Sequence, residues 1–313
     1  MTEKYLVTGG AGFIGSNIAR ELLERGAYVR ILDDLSTGLE KNIRELRGKV
    51  DFIKGDIRDR IEVKNAVRGV DFVIHQAALG SVARSIEAPG ETNDVNVGGT
   101  LNVLINARKA GVKRLIYASS SSVYGNCDVF PQDESFRPNP ISPYAVSKLT
   151  GEYYCRVFTE TMGLETVSLR YFNVFGPRQN PKSKYSAVIP IFITKLLNDQ
   201  PCVINGDGTQ SRDFTFVSNV VRANLAGCTR AGAAGKVINV ACGETHSVRD
   251  VADGIKKILN KNIDFIYGAE RAGDIKKSVA STKMLKDVLD VETDVKFKEG
   301  LEKTVDWFCK FGL

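Results

Sequence analysis

Short apolar runs alternate with segments of helical periodicity along the first half of the chain. The apolar runs lie at 5–8, 28–33, 50–56, 70–75 and 114–119. Between and after them, apolar residues recur every three to four positions at 17–25, 57–67, 97–110 and 144–161, as on one face of a helix. Alternating strands and helices with continuously apolar strands predict an α/β fold, in which helices cover both faces of a doubly wound parallel sheet.

The first predicted strand runs into a glycine-rich turn, which is followed by a helix. Gly9, Gly12 and Gly15 occupy this turn. Glycines there let the backbone approach a pyrophosphate, and the free amides of the helix N-terminus attract phosphates. An isolated glycine triplet is also typical of a structural turn, but here the flanking strand and helix favour a nucleotide site. The pattern predicts a Rossmann-type domain.

The second predicted strand ends in an acid. Asp33 follows the glycines by about 20 residues, where a carboxylate accepts hydrogen bonds from an adenosine ribose. Together with Asp34 it would repel a 2′-phosphate. The sequence therefore predicts NAD rather than NADP as the cofactor.

Composition and charge exclude several other classes. The 313 residues are 43% hydrophobic, and 43 basic against 37 acidic residues give a net charge of +6. No Lys/Arg run marks a nucleic-acid groove, and no apolar run is long enough for a membrane span, so neither partner is expected. The chain enters its first strand almost at once, which leaves no room for a signal peptide, and we expect a cytoplasmic protein. Six scattered cysteines and two histidines predict neither a disulfide framework nor a metal site.

Tyr144 and Lys148 stand four residues apart in a predicted helix, so their side chains share one face. An ammonium beside a phenol favours the phenolate, which predicts a base that works without histidine. The spacing alone is equally typical of an ordinary helix face. The nucleotide motif upstream and the Ser-rich strand end at 119–122 favour the catalytic interpretation, although such serines also cap turns.

Ten motifs in order resemble the extended short-chain dehydrogenase/reductase superfamily, and within it the UDP-hexose 4-epimerases, especially the branch that acts on UDP-N-acetylglucosamine. The motifs are VTGGAGFIGS at 7–16, DDLSTG at 33–38, GDIRD at 55–59, HQAALGSVARS at 75–85, NVGGTLNVL at 96–104, ASSSSVYG at 118–125, PYAVSK at 143–148, LRYFNVFGPRQ at 169–179, INGDGTQSRDF at 204–214 and RAGD at 271–274. They cover essentially the whole chain.

The resemblance implies a set of residues that hold NAD. In addition to the three glycines and Asp33, these are Phe13, Ile14, Asp56, Ile57, Gln76, Ala77, Ala78, Asn96, Tyr144, Lys148 and Phe172. It also implies Tyr144 as the catalytic base, with Lys148 bonding the nicotinamide ribose. The catalytic serine falls on Ser120, although Ser121 and Ser122 remain candidates.

The resemblance further implies residues that contact a UDP-hexose. These are Ser81, Arg84, Ser120, Ser121, Tyr144, Asn173, Arg212, Arg271 and Ser278. Arginines suit a diphosphate because the guanidinium can bond two oxygens at once. Ser278 matches a gate over the hexose 2-substituent, where a large Tyr restricts related epimerases to UDP-glucose and UDP-galactose. A one-residue gap follows Ala280, and a plain polar loop residue is the other interpretation.

The implied activity is epimerisation at sugar carbon 4. Sugar-nucleotide 4,6-dehydratases resemble one another in placing Asp-Glu before Val-Tyr-Gly, and nucleotide-sugar decarboxylases place Glu at the position of Ser122. This chain has Ser121 and Ser122 instead. We expect interconversion of UDP-GlcNAc and UDP-GalNAc, and of UDP-glucose and UDP-galactose. The alternatives are a plain UDP-glucose 4-epimerase, another nucleotide-sugar epimerase or reductase, a nonenzymatic NAD-dependent redox sensor or a structural protein.

The domain organisation and assembly follow from the same resemblance. Prolines break the chain after Arg170 into shorter elements, and we predict an NAD-binding domain over 1–170 and a UDP-sugar-binding lobe over 171–313. Some segments after Arg212 are expected to return to the first domain. The segment 185–192 is expected to cover the nucleotide or to form a core helix. Helices at 97–110 and 144–161 resemble those that pair into a four-helix homodimer interface.

Overall fold

Parallel strands build the centre of the molecule. The computed structural model describes residues 2–182, 187–270 and 276–312. The strands, in chain order, are β1 (Lys4–Thr8), β2 (Tyr28–Asp33), β3 (Asp51–Lys54), β4 (Phe72–His75), β5 (Arg114–Ser120), β6 (Glu165–Tyr171), β7 (Val174–Phe175), β8 (Val203–Asn205), β9 (Ser211–Arg212), β10 (Thr215–Phe216), β11 (Val237–Val240), β12 (His246–Ser247) and β13 (Ile266–Gly268). Seven of them form one sheet in the order β11-β6-β5-β4-β1-β2-β3, with every pairing parallel.

Helices connect successive strands of this sheet. They are α1 (Phe13–Glu24), α2 (Glu40–Ile43), α3 (Arg60–Ala66), α4 (Val82–Glu87), α5 (Pro89–Asn93), α6 (Thr100–Lys109), α7 (Pro143–Thr161), α8 (Val188–Leu197), α9 (Val217–Thr229), α10 (Val248–Ile258), α11 (Lys283–Leu289) and α12 (Phe297–Phe311). A π-helical segment (Asp94–Gly99) leads into α6, and 3-10 turns lie at Arg44–Leu46 and Ser121–Tyr124.

Most strands of the sheet bury both of their faces, because successive side chains point to opposite sides of the sheet. Val7 of β1 belongs to the core with Ile18 of α1 and Val220 of α9. The adjacent Leu6 belongs to a second core, with Val103 of α6 and residues of α3 and α7. The predicted doubly wound parallel sheet is therefore confirmed, and each apolar run serves two helical layers.

Chain order and sheet order diverge at one edge of the sheet. The strand β11 lies beyond Arg212 in sequence, yet it pairs with β6, with Ile238 opposite Leu169. Three two-stranded sheets form from the later part of the chain: β7 with β10, β9 with β12 and β8 with β13. The strand β9 carries Arg212 and pairs antiparallel to β12.

The segment 185–192 is described only in part. Residues 183–186 lie outside the described ranges, whereas α8 begins at Val188 and buries Ile189 and Phe192 against the main core. The described part of this segment is thus a core helix. Among the described residues, no helix is long and apolar enough to cross a membrane.

Candidate active site

A cavity of about 740 Å³ opens at the carboxyl ends of the strands, where ligands of open parallel sheets bind. The predicted cofactor residues on its wall are Gly9, Gly12, Phe13, Ile14, Gly15, Asp33, Asp56, Ile57, Gln76, Ala77 and Ala78. The predicted substrate residues Ser81 and Arg84 also line it. A cavity of about 1000 Å³ lies elsewhere, between the end of α1 and α9, and contains none of the predicted site residues.

At two positions in the glycine-rich turn, Gly9 and Gly15, a side chain would collide with neighbouring backbone atoms. Gly9 has a φ of +66°, and a Cβ there would lie 2.7 Å from the backbone nitrogen of Ala77. A Cβ on Gly15 would lie 2.2 Å from the carbonyl oxygen of Gly9. The chain therefore passes closely over the start of α1 and leaves its first amides open to the cavity, which suits a pyrophosphate.

Asp33 ends β2 and fixes the shape of this turn. Its carboxylate accepts hydrogen bonds from the backbone N–H groups of Ala11 and Leu35, both at 2.9 Å. Burial raises the pKa of Asp33, and the two backbone hydrogen bonds act in the opposite direction. The side chain lines the cavity as well, so a ribose hydroxyl has an acceptor at this point.

Two predicted cofactor residues are buried in the protein. Asn96 is 1% exposed, and its side chain bonds the backbone N–H and carbonyl of Leu79 and the hydroxyl of Ser147. It therefore holds the loop that carries Ala77 and Ala78. Phe172 is 0% exposed and packs in a small core cluster with Val123 and Tyr124. Neither side chain lies on the wall of the cavity.

The first turn of α7 presents the predicted base. Ser142 caps this helix by accepting a hydrogen bond from the N–H of Ala145, and Pro143 begins it. Tyr144 follows in the first turn, where the helix dipole favours negative charge. The nearby Ser120 side chain acts to lower the pKa of this phenol. Ser120 in turn accepts hydrogen bonds from the N–H of Ser122 at 3.2 Å and from its hydroxyl at 2.9 Å. Of the three candidate serines, Ser120 is the one whose side chain acts on the pKa of Tyr144, and its catalytic role stays a prediction.

Lys148 lies one turn further along α7 and is 4% exposed. Its ammonium donates a hydrogen bond to the carbonyl oxygen of Ala118 at 2.8 Å, and it lies 5.8 Å from the centre of the Tyr144 ring. Burial lowers the pKa of Lys148 to about 8. The ammonium is therefore held in place by β5 and remains protonated near neutrality.

Burial dominates the electrostatics of Tyr144. It raises the pKa of Tyr144, and the Ser120 side chain only opposes this rise. The base role of Tyr144, with a phenolate stabilised by Lys148 and by the nicotinamide ring, therefore stays a prediction. A base at this position needs further positive potential close to the phenol.

The substrate-side residues are drawn from several elements. Asn173 lies between β6 and β7 and has a φ of +25°. Arg212 belongs to β9. The other residue of this strand, Ser211, accepts a hydrogen bond at its carbonyl oxygen from the N–H of Ser278 at 3.2 Å. Ser278 itself is 6% exposed. This places Ser278 beside the Arg212 strand, while Arg271 lies outside the described residues.

The residues around Ser278 are tied to the centre of the site. Asp213 accepts hydrogen bonds from the N–H groups of Cys242, Gly243 and Ala280. Ala280 packs in the same cluster as Phe172 and the turn that follows Ser120. Burial raises the pKa of Asp213 to about 6, against the effect of its backbone hydrogen bonds.

Sequence reasoning missed two residues that the structure brings to the site. Arg178 lines the nucleotide cavity with a φ of +73° and bonds the side chain of Asn17 on α1 at 3.0 Å. Glu152 lies four residues after Lys148 and is buried against Arg170. The signal for Glu152 was available, since the spacing of Tyr144 and Lys148 continues to it on the same helix face.

The arrangement combines a nucleotide cradle with a buried phenol, hydroxyl and ammonium. Such a group can move a proton at a substrate hydroxyl beside a dinucleotide. Among the described residues, no three His, Cys, Asp or Glu side chains are grouped as a metal ion would require.

Comparisons with known proteins agree with this geometry. A UDP-N-acetylglucosamine 4-epimerase from Methanobrevibacter ruminantium M1, solved in complex with UDP-N-acetylmuramic acid, is 40% identical, superposes with a TM-score of 0.94 and is matched over 99% of each chain. A UDP-glucose 4-epimerase from Mycolicibacterium smegmatis is 36% identical over 97% of each chain. A UDP-N-acetyl-α-D-glucosaminuronate decarboxylase from Bacillus cytotoxicus is 34% identical over 98% of each chain. The family model described as NAD dependent epimerase/dehydratase matches residues 5–241, and the chain therefore belongs to this family, with NAD as its cofactor.

Proposed function

We propose that this enzyme is a 4-epimerase of UDP-hexoses that interconverts UDP-GlcNAc with UDP-GalNAc and UDP-glucose with UDP-galactose. The observation that carries the proposal is the grouping of Tyr144, Ser120 and the Lys148 ammonium at the end of β5, with hydroxyls rather than carboxylates at 121 and 122. A site with these groups can take a proton from an alcohol and return it. It has no acid at 121 or 122 to assist the loss of water or of carbon dioxide.

Each protein group has a defined task in this reaction. Tyr144 removes the proton from the sugar 4-hydroxyl, and Ser120 hydrogen-bonds the same oxygen. Ser122 orients Ser120 through the two hydrogen bonds that it donates. Bound NAD would supply the redox chemistry, a hydride taken from carbon 4 and given back to the opposite face of the 4-keto sugar, so that the cofactor would not be consumed.

The charges around the phenol support its role as a base. Three positive potentials act on Tyr144: the N-terminus of α7, the Lys148 ammonium and the cationic ring of oxidised nicotinamide. Lys148 has a second task as a ligand of the nicotinamide ribose. Burial raises the pKa of Tyr144, and the positive charge that bound NAD would add near the phenol would act in the opposite direction.

The choice of sugar depends on Ser278 in this proposal. A serine at this place leaves room for a hexose N-acetyl group, whereas a tyrosine would fill it. Its backbone is fixed to β9, next to Arg212, which we assign to the UDP diphosphate together with Arg271. Ser81 and Arg84 supply polar groups at the wall of the same cavity.

Product analysis tests the proposal. Purified protein is incubated separately with UDP-galactose, UDP-N-acetylgalactosamine and UDP-glucuronate, and the products are separated and identified. We expect the first two to be converted to their 4-epimers. Conversion of UDP-galactose alone would restrict the enzyme to UDP-glucose and UDP-galactose, and release of carbon dioxide from a UDP-hexuronate would identify it as a decarboxylase.

A substitution separates the sugar gate from general damage. Ser278→Tyr is expected to suppress turnover of the acetylated pair and to leave that of UDP-galactose within a few-fold of the wild type. The control is Lys276→Tyr, which adds the same ring at an exposed neighbouring position. Equal loss of both activities in Ser278→Tyr would contradict the gate, because it would show that the ring disturbs the fold instead of the sugar pocket.

A further inference from the structure

Glu152 lies one helical turn beyond Lys148, on the α7 face that also carries Tyr144. Its carboxylate accepts hydrogen bonds from Ser119 Oγ at 2.5 Å, Arg170 Nε at 2.9 Å and Arg170 Nη2 at 2.8 Å. Ser119 and Arg170 stand opposite each other on the paired strands β5 and β6. Glu152 therefore fastens α7 to two neighbouring strands at one point.

The last three residues of β5 each contact a different turn of α7. Ala118 accepts the hydrogen bond of Lys148, and the Ser120 side chain lies near Tyr144 and acts to lower its pKa. The serine between them is bonded to Glu152. The helix and the strand end are thus aligned by three successive contacts, and two of these contacts involve the proposed catalytic groups.

The Glu152–Arg170 pair is almost completely buried. Its side chains are 3% and 4% exposed, and the guanidinium also lies 4.7 Å from the centre of the Tyr124 ring. Charges at such a depth act on their neighbours with little screening by water. The negative charge of Glu152 is therefore felt by an ammonium one turn away on the same helix.

Glu152 is the negative group that offsets Arg170 in the surroundings of Lys148. Burial lowers the pKa of Lys148 to about 8, and Cys155 and Glu152 oppose this effect. The titratable or charged groups around it are Tyr117 of β5, His75 of β4, Arg170 of β6 and Tyr144, Glu152 and Cys155 of α7. Burial raises the pKa of Cys155 to about 12 and lowers that of His75 to about 3, and it raises the pKa of both tyrosines, so these four are neutral near pH 7. Among these groups, Glu152 is the one that carries negative charge.

We propose that Glu152 is a positioning residue of the reaction, which compensates the buried charge of Arg170 in the surroundings of Lys148 and holds the end of β5 in register with α7. This inference rests on the proposed roles of Tyr144 and Lys148, since Glu152 touches neither substrate nor cofactor. Arg170 supports Glu152 by donating hydrogen bonds to both carboxylate oxygens. Ser119 is bonded to Glu152 and precedes Ser120 in β5, so Glu152 also helps to fix the position of Ser120.

The test compares Glu152→Gln with Glu160→Gln, the same substitution at an exposed site on the same helix. In Glu152→Gln, the amide keeps the shape, the negative charge is lost and Arg170 is left as an uncompensated buried cation. We expect turnover to fall by roughly 10- to 100-fold with little change in KM. The basic limb of the pH profile should move down by about one pH unit, whereas Glu160→Gln should match the wild type.

A measurement without substrate separates this inference from the proposed reaction. The Lys148 ammonium is titrated by NMR of protein with 13C-labelled lysine, with Lys148→Met to assign the signal. Its pKa should fall in Glu152→Gln, and it should return toward the wild-type value in the double variant Glu152→Gln/Arg170→Gln, which removes both charges. Failure of the proposed function would leave this titration unaffected.

Two outcomes would overturn the inference. One is a Glu152→Gln protein that melts at a lower temperature but keeps the wild-type Lys148 titration and pH profile, because the pair would then serve stability alone. If Glu152→Gln does not fold, the double variant and Ser119→Ala decide. The inference requires reduced turnover with an unshifted Lys148 titration in both, and wild-type turnover in both would overturn it.

Discussion

Removing the Tyr144 hydroxyl is the most direct perturbation of the proposed chemistry. Tyr144→Phe keeps the ring in the first turn of α7 and deletes the hydroxyl that lies near the Ser120 side chain. The Ser120 hydroxyl keeps its bonds with Ser122, so no buried group loses all of its partners. We expect the free energy of unfolding to change by about 1 kcal/mol or less.

The effect on catalysis should be much larger than the effect on stability. A positioned acid/base contributes at least ~100-fold to the rate, which corresponds to about 2.7 kcal/mol of the activation free energy. We expect turnover of UDP-galactose to fall by that factor or more. Affinity for UDP should change little, because the phenol contacts the reacting hydroxyl and not the nucleotide.

The assay follows epimer formation by product separation, with UDP affinity measured by calorimetry on the same samples. Tyr267→Phe is the control, since Tyr267 lies on β13 and its side chain is exposed. Turnover in Tyr144→Phe within a few-fold of the wild type would refute the assignment of Tyr144 as the base. A parallel loss of UDP affinity would show that the variant disturbs binding instead.

Three further predictions concern pH, cofactor and assembly. Ser120→Ala removes the hydroxyl that opposes the raised pKa of Tyr144, so this pKa should rise further. The acidic limb of the pH profile should then move to higher pH. An unchanged limb would contradict the effect of Ser120 on Tyr144. Asp33→Asn should weaken NAD and improve binding of NADP, measured by cofactor titration, whereas equal retention of NAD and NADP by the wild type would count against charge selection. Val146, Tyr153 and Val157 leave an exposed apolar stripe on α7, and we expect light scattering at micromolar concentration to give the mass of a dimer, with a monomeric mass as the contrary result.

The central sheet was predictable because most of its strands are buried on both faces, the edge strand β3 being the exception. Such strands appear as continuous apolar runs, and the polar residues that interrupt them mark the carboxyl ends where the cavity forms. Asp33 is an example, since it is the last residue of β2 and the first polar one after two buried aliphatic residues. The hydrophobic pattern therefore predicted the position of Asp33 at the end of β2, where the structure places it.

The contacts between distant segments were not predictable from local pattern. Asn96 was predicted to hold the cofactor because it belongs to a family motif. The motif did not predict that its buried side chain hydrogen-bonds the backbone of Leu79. The π-helical segment at Asp94–Gly99 also shifts the start of α6 to Thr100. Spacing fixes which face of an element a residue occupies, but not which neighbour that face meets.

The effect of burial on the pKa of Tyr144 was not predictable from the sequence for a similar reason. Sequence spacing showed that Lys148 lies one turn away, but it contains no measure of desolvation. Burial acts on both groups, raising the pKa of the phenol and lowering that of the ammonium. Only the packed structure shows that burial dominates and that Glu152 is the carboxylate that opposes its effect on Lys148.

The central claim is that one hydride leaves sugar carbon 4 and returns to it within a closed site. Incubating the wild-type protein with UDP-galactose deuterated at carbon 4, in ordinary water, and recording the products by mass spectrometry and NMR tests it most directly. The account predicts that the epimer retains the deuterium at carbon 4 and that no reduced nicotinamide is released. Loss of the label to solvent, or accumulation of a keto sugar with free reduced cofactor, would contradict it.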